Sequence, residues 1–250
     1  MTGFELALLA ALICVAATLY TSVGHAGASG YLAAMALMGV APAVMRPTAL
    51  AINILVASLA TARWTGNGRN LEWRSLLPLV IASVPAAFFA GGYPLSDRHY
   101  RALVGALLLL AGVKFLLQPK PEAEAVPPKA ADIPPAAGLA AGAVVGALSG
   151  LTGTGGGIFL SPLLLLFGRA GVRQVSGLTA PFILVNSVAA LAGNATGLKG
   201  LPPELPYLIA AALTGAAIGT QVGIKWVTTG TLQRLLGVVL LIAAGKFLLS

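Results

Sequence analysis

The chain has very little charge for its length. Only 9% of its 250 residues are Asp, Glu, Lys or Arg, whereas 58% are hydrophobic and the mean hydropathy is +0.92. Soluble domains typically contain about 25% charged residues. The chain therefore lacks the charge needed to cover a water-facing surface, and an ordinary soluble globular protein is excluded.

Cysteine is almost absent as well, since Cys14 is the single thiol. One cysteine forms neither an internal disulfide nor a dithiol relay, which argues against a membrane thiol–disulfide carrier. The net charge of +8 comes from basic residues scattered singly near helix ends and in short loops, without interleaved aromatics. We therefore predict no nucleic-acid binding, and we predict no cofactor and no metal site.

Carboxylates are missing from the interior of every predicted membrane span. Coupling to sodium or protons through a buried carboxylate is therefore not expected. If transport is coupled, His25, the protonation of the substrate itself or backbone carbonyls must provide the coupling. Simple facilitated export is the other interpretation.

Long uncharged runs are what the sequence does contain. No Asp, Glu, Lys or Arg occurs in 6–45, 75–96, 133–168, 174–198 or 205–224. Each run reaches the ~20 residues that a spanning helix needs, so we predict an all-α integral membrane protein. The predicted helices are 4–22, 29–42, 47–63, 75–94, 99–117, 136–150, 157–168, 174–193, 204–225 and 231–249. The segments 29–42 and 157–168 are short enough to be half-helices or arms of re-entrant hairpins. The sequence therefore allows eight, nine or ten membrane segments.

The chain carries one pattern twice. Glycine-rich breaks interrupt the apolar runs at 22–30 and 150–157, and Lys-Phe-Leu-Leu ends each half at 114–117 and 246–249. We predict an N-terminal transmembrane repeat at 1–117 and a C-terminal repeat at 136–250, joined by a flexible Pro-rich, charged linker at 118–135. Duplicated halves with matching breaks are typical of secondary transporters, whose substrate sites lie where the breaks meet.

Orientation follows from the basic residues. One side would hold ten of the fifteen Lys and Arg residues, and the other would hold five. The richer side should be cytoplasmic, which places both termini in the periplasm. An odd number of crossings per half then makes the halves inverted repeats, and the two breaks would enter from opposite faces.

The breaks supply the candidate substrate-binding residues. A helix that begins after a glycine turn points free N–H groups and its positive dipole end into the gap, which suits a small oxyanion. The candidates are His25, Gly27, Ser29, Asn53, Thr152, Thr154, Gly155, Gly156 and Asn186. The alternatives are close helix packing for the glycines, interhelical hydrogen bonding for the asparagines and a structural imidazole for His25. Arg46 and Arg173, each between a short segment and the next helix, either line an anion vestibule or set topology.

Two other classes of function are compatible with parts of the sequence. Gly27-Ala28-Ser29-Gly30 resembles the nucleophile motif of rhomboid intramembrane serine proteases, with Ser29 as nucleophile. That mechanism needs a histidine from a later helix, and the only later one, His99, lies in a charged turn. A structural assembly factor without transport activity is the third interpretation.

The order of helix, glycine-rich break, short segment and third helix, present twice, resembles the TauE/SafE sulfite exporter family of bacterial permeases. The clearest stretch is 150–164, and 216–220 and 235–237 also fit. The resemblance implies export of sulfite, sulfoacetate or related small sulfur oxyanions across the bacterial cytoplasmic (inner) membrane. The breaks that enter from opposite faces predict that this export proceeds by alternating access. The partners would be the anion and membrane lipid, with a homodimer left open. The first break departs from the glycine-dense form, so the first half is expected to supply side-chain ligands where the second offers backbone.

Overall fold

The computed structural model describes residues 1–65, 73–117, 134–160, 172–225 and 229–249. Over these residues the fold consists of helices and contains no strand. The helices are α1 Gly3–Ser22, α2 Ala28–Leu37, α3 Pro42–Thr65, α4 Trp73–Gly92, α5 Asp97–Leu117, α6 Pro135–Thr152, α7 Val172–Gly193, α8 Leu205–Lys225 and α9 Thr229–Leu249, with a 3₁₀ helix at Ala195–Gly200. The prediction of an all-α protein is confirmed.

Several helices are built to cross a membrane. Among the described residues, four are long and apolar enough by length and composition: α1, α6, most of α3 and most of α8. Large apolar side chains face outward, including Phe4, Phe89, Leu110 and Tyr207. An apolar exterior suits acyl chains and not water, so the fold is that of an integral membrane protein.

Helix α2 is different, because residues 28–36 are all buried. It packs against α1, α3 and α9, and its side chains belong to the main hydrophobic core. A helix that is apolar on every side and covered on every side lies in the centre of a bundle. The short segment expected at 29–42 is therefore an interior half-length helix that ends at Leu37.

The predicted start of the third helix was also wrong. Helix α3 begins at Pro42 and not at residue 47, and Pro47 lies inside it. Proline suits the first position of a helix, since its fixed φ is already helical and its missing N–H is not needed there. Arg46 consequently lies within α3, and Arg173 is the second residue of α7, so neither arginine occupies a loop. The linker interior 118–133 and most of the predicted helix 157–168 lie outside the described residues.

Two helix pairs pack through stripes of glycine. The stripe on α6 contacts the backbone of α4, and the stripe on α8 contacts the backbone of α1. The glycines are Gly142, Gly146 and Gly150 on α6 and Gly215, Gly219 and Gly223 on α8. A methyl group at any of them would overlap a carbonyl of the partner helix, so the spacing of four permits backbone contact, as in small-xxx-small membrane packing. Residue numbers rise together along both pairs, which makes both pairs parallel.

Two other pairs are antiparallel. Asn53 of α3 contacts Ser187 of α7, whereas Ala60 further along α3 packs with the earlier Ala180. In the same way Gly105 of α5 lies against Leu248 of α9, and Gly112 lies against Leu241. In each of these pairs the two helices hold the same position in the two repeats that the sequence predicts.

Candidate functional site

The first break lies between α1 and α2 and is buried in the bundle. Gly24 and Gly27 have φ values of +78° and +103°, a left-handed conformation that glycine adopts without strain. Gly27 is the N-cap of α2 and has no side chain to cap the first N–H groups of that helix. The positive end of the α2 dipole therefore points into the protein interior.

Polar side chains surround this first break. The Tyr20 hydroxyl and the Ser29 hydroxyl are hydrogen-bonded at 2.7 Å, and the Tyr31 hydroxyl donates to the Ala26 carbonyl. The His25 Nδ1 atom lies 3.2 Å from the Val23 carbonyl, and the backbone of Gly157 lies beside the imidazole. Since Gly157 begins the helical turn after the second break, His25 joins the two breaks directly.

The second break, after α6, contains three left-handed glycines. Gly153, Gly155 and Gly156 have φ values of +80°, +72° and +82°. The Thr152 and Thr154 hydroxyls are 3.0 Å apart, and the Thr152 hydroxyl donates to the Leu148 carbonyl at 2.6 Å. Both threonines are buried. This turn is therefore built from backbone and two linked hydroxyls.

Both asparagines are fully buried. The Asn53 amide donates to the Ser187 hydroxyl at 2.9 Å, and the Asn186 amide donates to the Phe182 carbonyl at 2.9 Å. Among the described residues neither amide oxygen has a hydrogen-bond partner. A buried polar atom without a partner is costly, so each amide retains hydrogen-bonding capacity for a ligand or water.

Gly155 is the residue that brings the second break to Asn53. A Cβ on Gly155 would overlap the Asn53 amide nitrogen and lie 2.7 Å from the Ser187 hydroxyl and 2.9 Å from the Ile183 side chain. Only glycine leaves room for this approach. The structure thus gathers the second break, Asn53 and Ser187 at one point between α3 and α7.

Arg46 is buried and bound to protein. Its guanidinium donates to the carbonyls of Ala90 at 2.8 Å, Gly91, and Tyr93 at 3.3 Å, at the C-terminal end of α4. A cation is favourable there because the carbonyls and the dipole are negative. Gly153 packs against it, with an added Cβ 3.1 Å from Arg46 Cγ. Arg46 therefore borders the second break, and its role in an anion vestibule stays a prediction. The side chain of Arg173 lies outside the described part of the structure.

The protease alternative receives no support. Ser29 is paired with a tyrosine, and the His99 Nδ1 atom lies 2.7 Å from the Ser96 hydroxyl at the exposed start of α5. A nucleophilic serine needs a general base within hydrogen-bonding reach. The hydrogen bonds described for Ser29 and His99 pair neither a nucleophilic serine nor a general base with the other.

Sequence reasoning missed four side chains around the breaks. Tyr20, Tyr31 and Ser187 make the contacts above, and the Tyr100 hydroxyl donates to the Thr152 carbonyl at 3.0 Å. The available signal was weak: the chain has only five tyrosines, and a polar hydroxyl inside an apolar segment needs a partner. Over the described ranges, no group of three or more His, Cys, Asp or Glu residues could hold a metal.

Comparison with known proteins agrees with this architecture. The family model described as "Sulfite exporter TauE/SafE" matches residues 9–247. A relative from Sinorhizobium fredii (strain NBRC 101917 / NGR234), named "Probable membrane transporter protein y4hK", is 36% identical over 234 residues and covers 94% of each chain. No solved structure matches.

A multi-pass helical membrane protein with these matches is a membrane transporter and not an enzyme. The chain belongs to the TauE/SafE sulfite exporter family.

Proposed function

We propose that this transporter exports a small sulfur-containing oxyanion, such as sulfite or an organosulfonate, by alternating access. The observation that carries the proposal is the meeting of the two breaks, where the backbone of Gly157 lies beside the His25 imidazole. Secondary transporters hold their substrates where the breaks of the two duplicated halves meet. The name of the family points to sulfite as the first anion to test.

Helix pairing supports an inverted repeat. The pairs α3–α7 and α5–α9 each join equivalent helices of the two halves, and both pairs are antiparallel. A two-fold axis relates equivalent helices in an antiparallel way only when it is perpendicular to them, which for spanning helices means in the membrane plane. The same axis would map the pair α1–α8 onto the pair α6–α4, because each pair joins the first helix of one half to the fourth helix of the other. Breaks that follow α1 and α6 would then approach from opposite faces.

The groups around the breaks suit a small oxyanion. The positive end of α2 and the backbone of Gly155 and Gly156 offer N–H donors, and Ser29 and Thr154 add hydroxyls. The Asn53 amide can turn so that its oxygen accepts from Ser187 and its two N–H groups face a ligand, because the two ends of an amide have the same shape. Neutral donors of this kind bind an anion without an ion pair, which favours release.

The two halves would make unequal contributions. The first break offers the side chains of His25 and Ser29, whereas the second offers mainly backbone at Gly155 and Gly156. Asn53 and Asn186 would add one amide from each half. Rocking of one half against the other would then expose the anion alternately to each side.

We place the protein in the bacterial cytoplasmic membrane with both termini in the periplasm, as the distribution of basic residues predicts. The single native cysteine makes the test direct. In a Cys14→Ser background, cysteines at Thr2 and at Lys199 should both react with an impermeant maleimide in intact cells. Protection of the cysteine at Thr2 would contradict the proposed orientation.

The proposal is tested with purified protein in liposomes that receive sulfite, sulfate, sulfoacetate, taurine or acetate in turn. Sulfite or sulfoacetate flux should exceed that of empty liposomes. Asn53→Asp keeps the shape of the side chain but places a negative charge at the site. Repulsion of about 4 kcal/mol at 4 Å would lower flux roughly 1,000-fold.

Asn194→Asp is the matched control, because Asn194 lies after α7 at the start of the 3₁₀ helix and outside both breaks. It should leave flux nearly unchanged. No flux of any anion above empty liposomes would overturn the function. Equal flux through Asn53→Asp and Asn194→Asp would remove Asn53 from the substrate site.

A further inference from the structure

A cleft lies away from the breaks, between the start of α5 and the end of α9. Its volume is about 530 Å³, which is within the range of small-molecule sites, about 300–1,000 Å³. Its charged lining residues are Asp97, Arg98 and Arg101, and its apolar lining includes Phe247, Leu248 and Leu249. The cleft is therefore basic on one side and apolar on the other.

The charge around the cleft is positive. Among the described lining residues, Arg98 and Arg101 outnumber the carboxylate of Asp97. A smaller cavity of about 80 Å³ adjoins it, shares Arg101 and Phe247, and adds Lys246. The Lys246 ammonium donates to the Leu37 carbonyl at 2.7 Å, which holds this cation beside the cleft. A ligand that fits this charge is an anion.

The apolar side of the cleft continues onto the outer surface of the bundle. Leu248 and Leu249 are 47% and 92% exposed. Further along the same two helices, Ile242 of α9 and Leu110 of α5 are also exposed. In a membrane protein such a surface contacts acyl chains, and basic residues at helix ends lie at the level of the lipid headgroups. The occupant that matches both sides carries an anionic head on a hydrocarbon chain.

We propose that this cleft binds an anionic phospholipid. The phosphate lies between the guanidinium groups of Arg98 and Arg101, and an acyl chain follows the outer faces of α5 and α9. Basic pockets between membrane helices recognise phospholipid headgroups in this way. Because α5 and α9 belong to different halves, a lipid bound here bridges the two halves at a distance from the transported anion.

The test measures lipid binding and is independent of transport. Purified protein in neutral detergent is titrated with phosphatidylglycerol or with phosphatidylcholine of the same acyl chains, and thermal unfolding and native mass spectrometry are followed. Phosphatidylglycerol should raise the unfolding temperature and stay bound, whereas phosphatidylcholine should do neither. Arg98→Gln and Arg101→Gln should each weaken the apparent Kd for phosphatidylglycerol about fivefold, and the double variant about 25-fold.

Lys199→Gln is the matched control, because it removes an exposed cation from the 3₁₀ helix, away from the cleft. It should bind phosphatidylglycerol as the wild type does, and Arg98→Lys should retain most of the affinity. Equal binding of the two lipids, or an equal loss in Lys199→Gln, would overturn the proposal. Inorganic phosphate and sulfite are tested alone, and an arginine-dependent shift of full size with either would make the cleft a small-anion site instead.

Discussion

Replacing Gly155 with alanine tests whether the second break and Asn53 form one site. The new methyl group would overlap the Asn53 amide nitrogen and lie 2.7 Å from the Ser187 hydroxyl. The two side chains are now hydrogen-bonded at 2.9 Å, so at least one of them must move. The substitution therefore displaces the proposed ligand without removing it.

The expected cost has two parts. Gly155 has a φ of +72°, and an L-residue in this left-handed conformation costs roughly 1–2 kcal/mol. Loss of the Asn53–Ser187 hydrogen bond adds about 0.6–1 kcal/mol, the usual worth of such bonds between membrane helices. The total is about 2–3 kcal/mol of folding stability. The effect on transport is separate: loss of an amide–substrate contact worth about 1.4 kcal/mol lowers flux about tenfold at low substrate concentration.

Gly39 offers a matched control. It also has a φ of +72°, it is exposed between α2 and α3, and a Cβ there would meet nothing within 4 Å. Gly39→Ala therefore has the same backbone strain without the collision. Both variants should unfold at lower temperature in detergent, whereas only Gly155→Ala should lose flux per folded molecule in proteoliposomes.

Ser187→Ala completes the test, because it removes one of the colliding atoms. Combined with Gly155→Ala it should be non-additive, since the double variant has more room around the new methyl group. If Gly155→Ala and Gly39→Ala show the same flux per folded molecule, the second break and Asn53 do not act as one site.

Three further predictions concern stability in detergent, measured by thermal unfolding. Gly146→Ala should lower the free energy of unfolding by about 1–3 kcal/mol or more, because its Cβ would overlap a carbonyl of α4. Gly245→Ala is the control: a Cβ there meets nothing within 4 Å, so the change should be neutral or slightly stabilising. Equal effects of the two substitutions would contradict the glycine-stripe packing. Tyr100→Phe should cost about 1 kcal/mol through the lost bond to the Thr152 carbonyl, and no change would mean that water replaces it. Arg46→Gln should cost about 1.5–3 kcal/mol, because charged donors to the end of α4 disappear; an unchanged unfolding temperature with lost flux would instead support the vestibule role.

Local signals made most helices predictable. An uncharged apolar run of about 20 residues has one stable form in lipid, because only a helix satisfies its own backbone there. The glycine breaks were equally visible, because glycines and small polar residues are concentrated there. The start of α3 was missed because Pro47 was read as the first residue of the helix, although Pro42 fits that position as well.

Contacts between distant segments were not predictable. Nothing near Arg46 in the sequence indicates that its guanidinium binds the end of α4, and nothing near Gly155 indicates Asn53 as its neighbour. The spacing of four in the glycine stripes permits close packing, but it does not specify that α6 pairs with α4 and α8 with α1.

The sequence by itself determined that this protein lies in the membrane, that it is helical and where its glycine-rich breaks occur. These properties depend on the local balance of apolar and polar groups and on the local freedom of glycine. Only the tertiary structure decided which break residues meet, through His25 and Gly157, and which side chains surround them. The physical reason is that close backbone contact and buried hydrogen bonds depend on how helices remote in the chain pack together, and no local pattern specifies that packing.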